Sequence, residues 1–130
     1  MAEKKKKILL VDDEIDFIEM FKLRLESVGY QVVSSTNGKD AIEKASVEKP
    51  DAILLDILMP GIDGLEVLRQ IRIKDEKVPI FIVTAFSNEA RFNAASKYNA
   101  TGFIVKTADL KKEIDSITNA IYIAEKYKTK

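Results

Sequence analysis

Five side chains with the chemistry of a phosphate site stand where apolar runs of this sequence end. Asp12 and Asp13 follow KILLV, Asp56 follows AILL, Thr84 ends IFIVT and Lys106 follows GFIV. Neighbouring carboxylates raise each other's pKa or require a cation. Mg²⁺ suits such a group because it binds one or two carboxylates and keeps water ligands for phosphate. We therefore expect a magnesium-dependent site for a phosphoryl group.

Each side chain has a chemical role that fits such a site. A carboxylate beside a divalent ion and a lysine can attack phosphorus and form an acyl phosphate, a role that Asp56 could take. The ammonium of Lys106 would neutralise charge on the phosphoryl oxygens. The hydroxyl of Thr84 could donate a hydrogen bond to one of them.

Taken singly, these residues have ordinary structural explanations. Asp13 could cap the first helix, because aspartate is favoured at that position. Asp56 could open a turn before a Met-Pro-Gly segment. Thr84 could be a plain strand residue and Lys106 a surface lysine. Their joint placement at the ends of four separate strands favours the site.

Composition excludes several other kinds of protein. The chain has no cysteine and no histidine, which rules out disulfides, thiolate catalysis, histidine-based acid–base catalysis and zinc bound by these residues. Its 21 acidic and 21 basic residues balance, so no strong field indicates nucleic acid or a membrane surface. No stretch approaches the roughly 20 apolar residues of a membrane span. We expect a cytoplasmic protein without a direct nucleic-acid or membrane partner.

Alternating elements must position the site. Apolar runs predict strands over residues 7–12, 30–35, 52–56, 80–84 and 102–106, and amphipathic patterns predict helices over 14–28, 39–48, 64–74, 88–98 and 108–127. Five β–α units in a row predict a parallel sheet with helices on both faces. Ligands bind beyond the carboxyl ends of the strands in such α/β sheets, which is where the five side chains lie. The first of these turns, VDDEID, has no glycine, which excludes a dinucleotide fingerprint and a Walker loop.

Four motifs together resemble the receiver domains of bacterial response regulators. They are KKILLVDDE, PDAILLDILMPGIDG, PIFIVTA and GFIVK, and the resemblance covers about residues 5–125. It implies one receiver domain over 1–130 with an α/β, flavodoxin-like, doubly wound sheet of five parallel strands in the order 2-1-3-4-5, and five helices.

The resemblance also implies a metal site and a phosphoacceptor. Asp56 would accept the phosphoryl group and ligate Mg²⁺. Asp13 would bind the ion directly, Asp12 mainly through water, and the backbone carbonyl of Leu58 would complete the protein ligands.

The resemblance also implies a conformational switch next to the phosphoacceptor. Thr84 would be the switch hydroxyl, Phe103 would stand at the switch aromatic position, and Lys106 would pair with the phosphoryl group. The chain departs from the family at two of these places. Phe103 lacks the hydroxyl of the more usual tyrosine, and Thr107 replaces a proline that follows a cis bond in most relatives.

The function implied is a phosphorylation-dependent signalling switch of a two-component system. The donor would be a sensor histidine kinase, a phosphotransfer protein or a small phosphodonor, since this chain has no histidine of its own. A downstream protein would bind the surface of the fourth helix, fifth strand and fifth helix, and a phosphorylation-dependent dimer is compatible with this. The chain would catalyse only its own phosphorylation and dephosphorylation.

Two alternatives stay open beside the switch. A Mg²⁺-dependent phosphohydrolase with Asp56 as nucleophile is disfavoured, because such enzymes typically carry an acid/base aspartate where Leu58 stands. An interaction module that works without phosphorylation is kept open by Phe103 and Thr107.

Overall fold

Five strands and five helices alternate along the chain in the computed structural model, which describes residues 5–57, 59, 61–85, 88–106 and 109–126. The strands are β1 (Lys7–Val11), β2 (Gln31–Ser35), β3 (Ala52–Leu55), β4 (Ile80–Thr84) and β5 (Gly102–Val105). The helices are α1 (Ile15–Ser27), α2 (Gly38–Val47), α3 (Gly64–Lys74), α4 (Glu89–Lys97) and α5 (Leu110–Lys126). In the part of the chain so described, no helix is both long and apolar enough to cross a membrane.

The strands form one parallel sheet in the order β2-β1-β3-β4-β5, which confirms the predicted topology. The register pairs Val11 with Leu55 and Thr84 with Val105. All strands run the same way, so their carboxyl ends share one edge of the sheet. The sheet order places β3 and β4 between β1 and β5, and the residues after β1 and β5 must therefore reach towards each other across this edge.

Alternate residues of the strands feed two hydrophobic cores, one on each face of the sheet. One core joins the sheet to α2, α3 and α4, and the other joins it to α1 and α5. Every residue of β3 and β4 is buried, which agrees with their unbroken apolar sequences and with cover on both faces. The sheet is thereby a rigid platform for whatever lies beyond its strand ends.

Local sequence signals set most of the helix ends. The side chains of Asn37, Asp63 and Asn88 accept hydrogen bonds from backbone N–H groups in the first turns of α2, α3 and α4. Asn99 follows α4 with a φ of 63°, the left-handed conformation expected for it. Gly29 follows α1 with a φ of 104°.

The first helix differs from its prediction at both ends. Its N-cap is Glu14, which makes no side-chain capping bond, so the alternative role of Asp13 as the cap is wrong. The predicted helix ran to residue 28, but the helix ends at Ser27, and Val28, beyond the last regular turn, is 56% exposed. The side chains of Ile18, Phe21 and Leu25 are buried against the core.

A single arginine holds the carboxyl end of α4 against α3 and β4. The guanidinium of Arg72 donates to the carbonyl oxygens of Asn99 (2.9 Å), Val78 (2.7 Å) and Asp75 (3.1 Å). These hydrogen bonds join the loop that precedes β4 to the loop that precedes β5. The only residue of α4 that is buried among those described is Ala95, and the hydrogen bonds of Arg72 add to the core packing at this end of the helix.

Gly64 sets the approach of α3 to the end of β3. Its N–H donates to the carbonyl of Ile57 at 2.8 Å. A Cβ atom at this position would overlap the backbone carbonyl oxygen of Asp56 and lie 2.6 Å from the Cα atom of Ile57. Only a hydrogen atom fits there, and the position of Asp56 therefore depends on this glycine.

We expect Gly64→Ala to lower the free energy of unfolding by about 1–3 kcal/mol, because the new methyl group overpacks against backbone that cannot move aside freely. It should also shift the backbone amide resonance of Asp56. Gly29→Ala is the matched control, since it strains a positive φ but meets nothing within 4 Å. Urea unfolding and amide NMR spectra measure both effects. An unmoved Asp56 amide in Gly64→Ala would contradict this account.

Candidate functional site

Main-chain hydrogen bonds carry three polar residues one step beyond the strands. Asp12 N–H donates to Ser35 (3.1 Å), Asp56 N–H donates to Val11 (3.0 Å) and Lys106 N–H donates to Thr84 (2.7 Å). The predicted strands ran through these three residues, whereas the regular strands stop just before them. These main-chain hydrogen bonds still fix the backbones of the three residues, so their side chains lie at the same edge of the sheet.

The three aspartates form an acidic cluster at this edge. Asp12, Asp13 and Asp56 each offer one carboxylate oxygen, and these oxygens lie within 4.8 Å of one another. Asp12 and Asp56 are buried while Asp13 is exposed, which leaves the cluster open to solvent on one side. An ion or a phosphate group could enter from there.

Lys106 supplies the counter-charge to the cluster. Its Nζ atom lies 2.6 Å from Asp12 Oδ2 and 3.5 Å from Asp56 Oδ2. Burial by itself lowers the pKa of the Lys106 ammonium, but the hydrogen bond to Asp12 and the charges of Asp12, Asp56 and Glu14 outweigh it, so the pKa is raised. Lys106 is therefore a permanent cation at neutral pH.

Both carboxylate oxygens of Asp12 are engaged. While Oδ2 accepts from Lys106, Oδ1 accepts from the backbone N–H of Glu14 at 3.0 Å. This second bond ties the carboxylate to the turn that enters α1. The side chain is only 1% exposed, and it is held in one orientation by a main-chain donor and a charged partner.

The predicted switch residues lie on the neighbouring strands. Thr84, at the end of β4, is fully buried. Phe103 in β5 is half-buried and packs against the core shared with α2, α3 and α4. Its ring meets the ring of Phe92 from α4 edge-on, with centroids 5.6 Å apart. Thr84 thus lies at the strand end between those of Asp56 and Lys106, and Phe103 lies on the neighbouring strand against α4.

Two predictions fall outside the described residues. The backbone carbonyl of Leu58 as a metal ligand is one, and the Lys106–Thr107 peptide is the other. Asp12, Asp13, Asp56 and Lys106 are brought together, and the main chain of Lys106 is bonded to Thr84.

Phe17 belongs to this neighbourhood and was not predicted from the sequence. Its ring lies beneath the Lys106 ammonium, with 3.9 Å between Nζ and the ring centroid. The sequence signal that could have revealed it is the aromatic pair Phe17 and Phe21, spaced four residues apart on a helix that begins beside the acidic cluster.

The donor set fits Mg²⁺. Asp12, Asp13 and Asp56 would hold the ion, since one carboxylate oxygen from each lies within 4.8 Å of the others. All donors are hard oxygens, as this ion prefers, and one carboxylate is open to solvent for the waters that Mg²⁺ retains.

Comparison with known proteins decides the family. The model of the response regulator receiver domain matches residues 8–118. The chain belongs to this family. The matched segment contains the acidic cluster, Thr84 and Lys106.

Among solved structures, this receiver is similar to the chemotaxis protein CheY4 of Vibrio cholerae, with a TM-score of 0.84 and 26% identity over 90% of this chain and 99% of that one. It is also similar to the response regulator TrrA of Thermotoga maritima, solved in complex with Mg²⁺ and BeF. That match has a TM-score of 0.79 and 33% identity, covering 88% of this chain and 98% of the other.

Curated relatives are mostly longer than this receiver. The alkaline phosphatase synthesis transcriptional regulatory protein PhoP of Bacillus subtilis is 43% identical over 65% of this chain, which spans only 35% of that protein. A probable transcriptional regulator of Guillardia theta is 36% identical over 92% of this chain and 46% of its own length. By contrast, the sporulation initiation phosphotransferase F of Bacillus subtilis matches over 88% of this chain and 90% of its own length, with 31% identity.

We expect Asp13→Asn to weaken Mg²⁺ binding by about tenfold or more, because affinity for this ion follows the number of charged oxygen ligands. Asp16→Asn, which removes an exposed charge from the first turn of α1 outside the cluster, is the control. Titration of amide chemical shifts with Mg²⁺ measures both affinities. Equal weakening in the two variants would mean that general surface charge, rather than a ligand, had been removed.

Proposed function

We propose that this receiver is a phosphorylation-dependent switch in which Asp56 accepts a phosphoryl group with Mg²⁺. The observation that supports this most strongly is the largely buried Lys106 side chain, whose ammonium lies 2.6 Å from Asp12 and 3.5 Å from Asp56. It meets two carboxylates of the acidic cluster, one of which belongs to the proposed acceptor.

In the proposed reaction, a carboxylate oxygen of Asp56 attacks phosphorus while the bond from phosphorus to the donor breaks. Asp12, Asp13 and Asp56, with the predicted carbonyl of Leu58, would hold the ion, which when bound neutralises phosphoryl charge and orients the group. Lys106 would pair with a phosphoryl oxygen, and the Thr84 hydroxyl would donate to another. The chain would act on itself alone and on no separate substrate.

The donor would be the phosphohistidine of a sensor kinase or of a phosphotransfer protein, or a small phosphodonor. These 130 residues contain no histidine that could carry the phosphoryl group. One relative is named as a transcriptional regulatory protein and another as a phosphotransferase. These names support a receiver that takes the phosphoryl group either for a direct output or as one step of a relay. We place this exchange in the cytoplasm.

Incubation with Mg²⁺ and acetyl phosphate, followed by intact mass measurement, tests the acceptor. We expect one added phosphoryl group on the native chain and none on Asp56→Asn. Asp115→Asn, at an exposed position of α5, is the matched control and should be phosphorylated normally.

Other outcomes would identify the alternatives. Steady release of phosphate with turnover would indicate a phosphohydrolase, and the absence of any adduct would indicate a module that works without phosphorylation. An adduct that survives in Asp56→Asn would contradict the assignment of the acceptor.

The output surface is proposed to be the α4–β5–α5 face. Phe92, Val105, Tyr122 and Ile123 are exposed apolar side chains of these elements, with exposed fractions of 52%, 43%, 63% and 47%. A groove of about 320 Å³ lies between β5 and α5 and is lined in part by Phe103. A phosphoryl group can favour only the state that contacts it better. Movement of Thr84 towards that group would let Phe103 follow and would change this face for a downstream protein or a second copy.

Beryllofluoride, which mimics the phosphoryl group, tests the switch. We expect it to shift the amide resonances of α4, β5 and α5 in the native chain. Thr84→Val keeps the side-chain shape but removes the hydroxyl, so the shifts should persist near Asp56 and shrink at Phe92 and Phe103. Thr36→Val, an exposed position in the β2–α2 loop, should behave like the native chain. Full shifts at Phe103 in Thr84→Val would contradict the proposed coupling.

A further inference from the structure

The ring of Phe17 forms one wall of the Lys106 site. Phe17 stands in the first turn of α1, is half-buried, and packs against the core shared by α1 and α5. Its ring stacks on Phe21 with centroids 4.4 Å apart and an angle of 26° between planes. Phe21 is completely buried, so the orientation of the Phe17 ring is set by the core beneath it.

Among the residues that the structure describes, three groups lie close to the Lys106 ammonium. They are the Asp12 carboxylate at 2.6 Å, the Asp56 carboxylate at 3.5 Å and the Phe17 ring, whose centroid is 3.9 Å from Nζ. Lysine is a point charge on a flexible four-carbon stem, and its direction must be imposed by its surroundings. The face of an aromatic ring attracts a cation within about 6 Å of the centroid. The ring thus gives the ammonium an attractive neighbour besides the two carboxylates.

The ring differs from the carboxylates in what happens when the site is used. In the proposed reaction the Asp12 and Asp56 carboxylates take part in ion binding and phosphoryl transfer, so their pairing with Lys106 must change. The Phe17 ring takes part in neither step and stays fixed by its stacking on Phe21. Of these three neighbours, the ring is therefore the one that keeps its role throughout.

We propose that Phe17 is a positioning residue of the phosphorylation site, whose ring face holds the Lys106 ammonium towards Asp12 and Asp56. The contact stands on the geometry alone. Its effect on the rate of phosphorylation rests on the proposed function. A purely structural role, in which the ring only fills space in the core, is the alternative to exclude.

The contact itself can be tested without phosphorylation. Protons above an aromatic ring resonate upfield, so the ε-methylene protons of Lys106 should be shifted upfield in spectra of ¹³C-lysine-labelled protein, with assignment from Lys106→Arg. We expect Phe17→Leu to abolish that shift and Phe17→Tyr to keep it. Phe92→Leu makes the same substitution at the ring that meets Phe103 and should leave the Lys106 signal unchanged.

The kinetic consequence is measured with acetyl phosphate at saturating Mg²⁺. We expect Phe17→Leu to slow aspartyl phosphorylation by about threefold to tenfold, the range for one partly buried cation–π contact. Phe17→Tyr should restore the rate to within about twofold, since it presents the same ring face. In a Lys106→Met background, the change from Phe17 to Leu should have no further effect, which a double-mutant cycle measures.

The outcomes separate the inference from the proposed function. An unchanged Lys106 ε-methylene signal in Phe17→Leu would overturn the inference, as would an equal slowing with and without Lys106. If the native chain gains no phosphoryl group at all, the proposed function fails, while the NMR comparison still decides whether Phe17 positions Lys106.

Discussion

A buried ion pair holds the two halves of the site together. Asp12 and Asp56 are 1% and 6% exposed, and two carboxylates so placed would repel each other and resist burial without a cation. Lys106 provides that cation from β5, 94 residues along the chain from Asp12. Loss of one partner from a buried pair typically costs about 3–5 kcal/mol, because a charge is left uncompensated. The three strand ends are therefore tied to one another by charge as well as by the sheet.

The ion pair of Lys106 with Asp12 joins the ends of two strands that are not neighbours in the sheet. β1 and β5 are not neighbours, since β3 and β4 lie between them. The Lys106 side chain must cross the ends of both central strands to meet Asp12, and on the way it passes Asp56 at 3.5 Å. The stem that spans this distance is largely buried, with 11% of the side chain exposed. The flexible Lys106 side chain therefore lies where a change of charge at the carboxyl edge of the sheet would change its ion-pair partners. Such a placement suits a site that responds to a phosphoryl group.

The site also lies where the two cores meet. Phe17 and Phe21 reach it from the core of α1 and α5, while Phe103 belongs to the opposite core with α2, α3 and α4. Thr84 stands between them at the end of a strand that is buried on both faces. Phe21 is fully buried on the α1 face of the sheet, whereas Phe103 on the α4 face is only half-buried. Side chains on the α4 face therefore have more room to change conformation. Arg72 adds to this asymmetry by fixing the carboxyl end of α4, which leaves rearrangement to the elements around Phe103.

Local patterns were enough to predict a parallel sheet covered by helices on both faces and the convergence of Asp12, Asp13, Asp56 and Lys106, because apolar runs and their polar ends are encoded within a few residues of each other. The strand order came from the resemblance to the receiver family. Strand ends and the cap of α1 were less predictable, since Asp13 and Glu14 are adjacent in the turn and only the backbone decides which one caps the helix. The contact of Phe17 with Lys106 and the hydrogen bonds of Arg72 to backbone carbonyls could not be predicted from the sequence. Both join side chains to partners remote in sequence, and only the packing of α1 and α3 against the sheet determines which ring or carbonyl each cation meets.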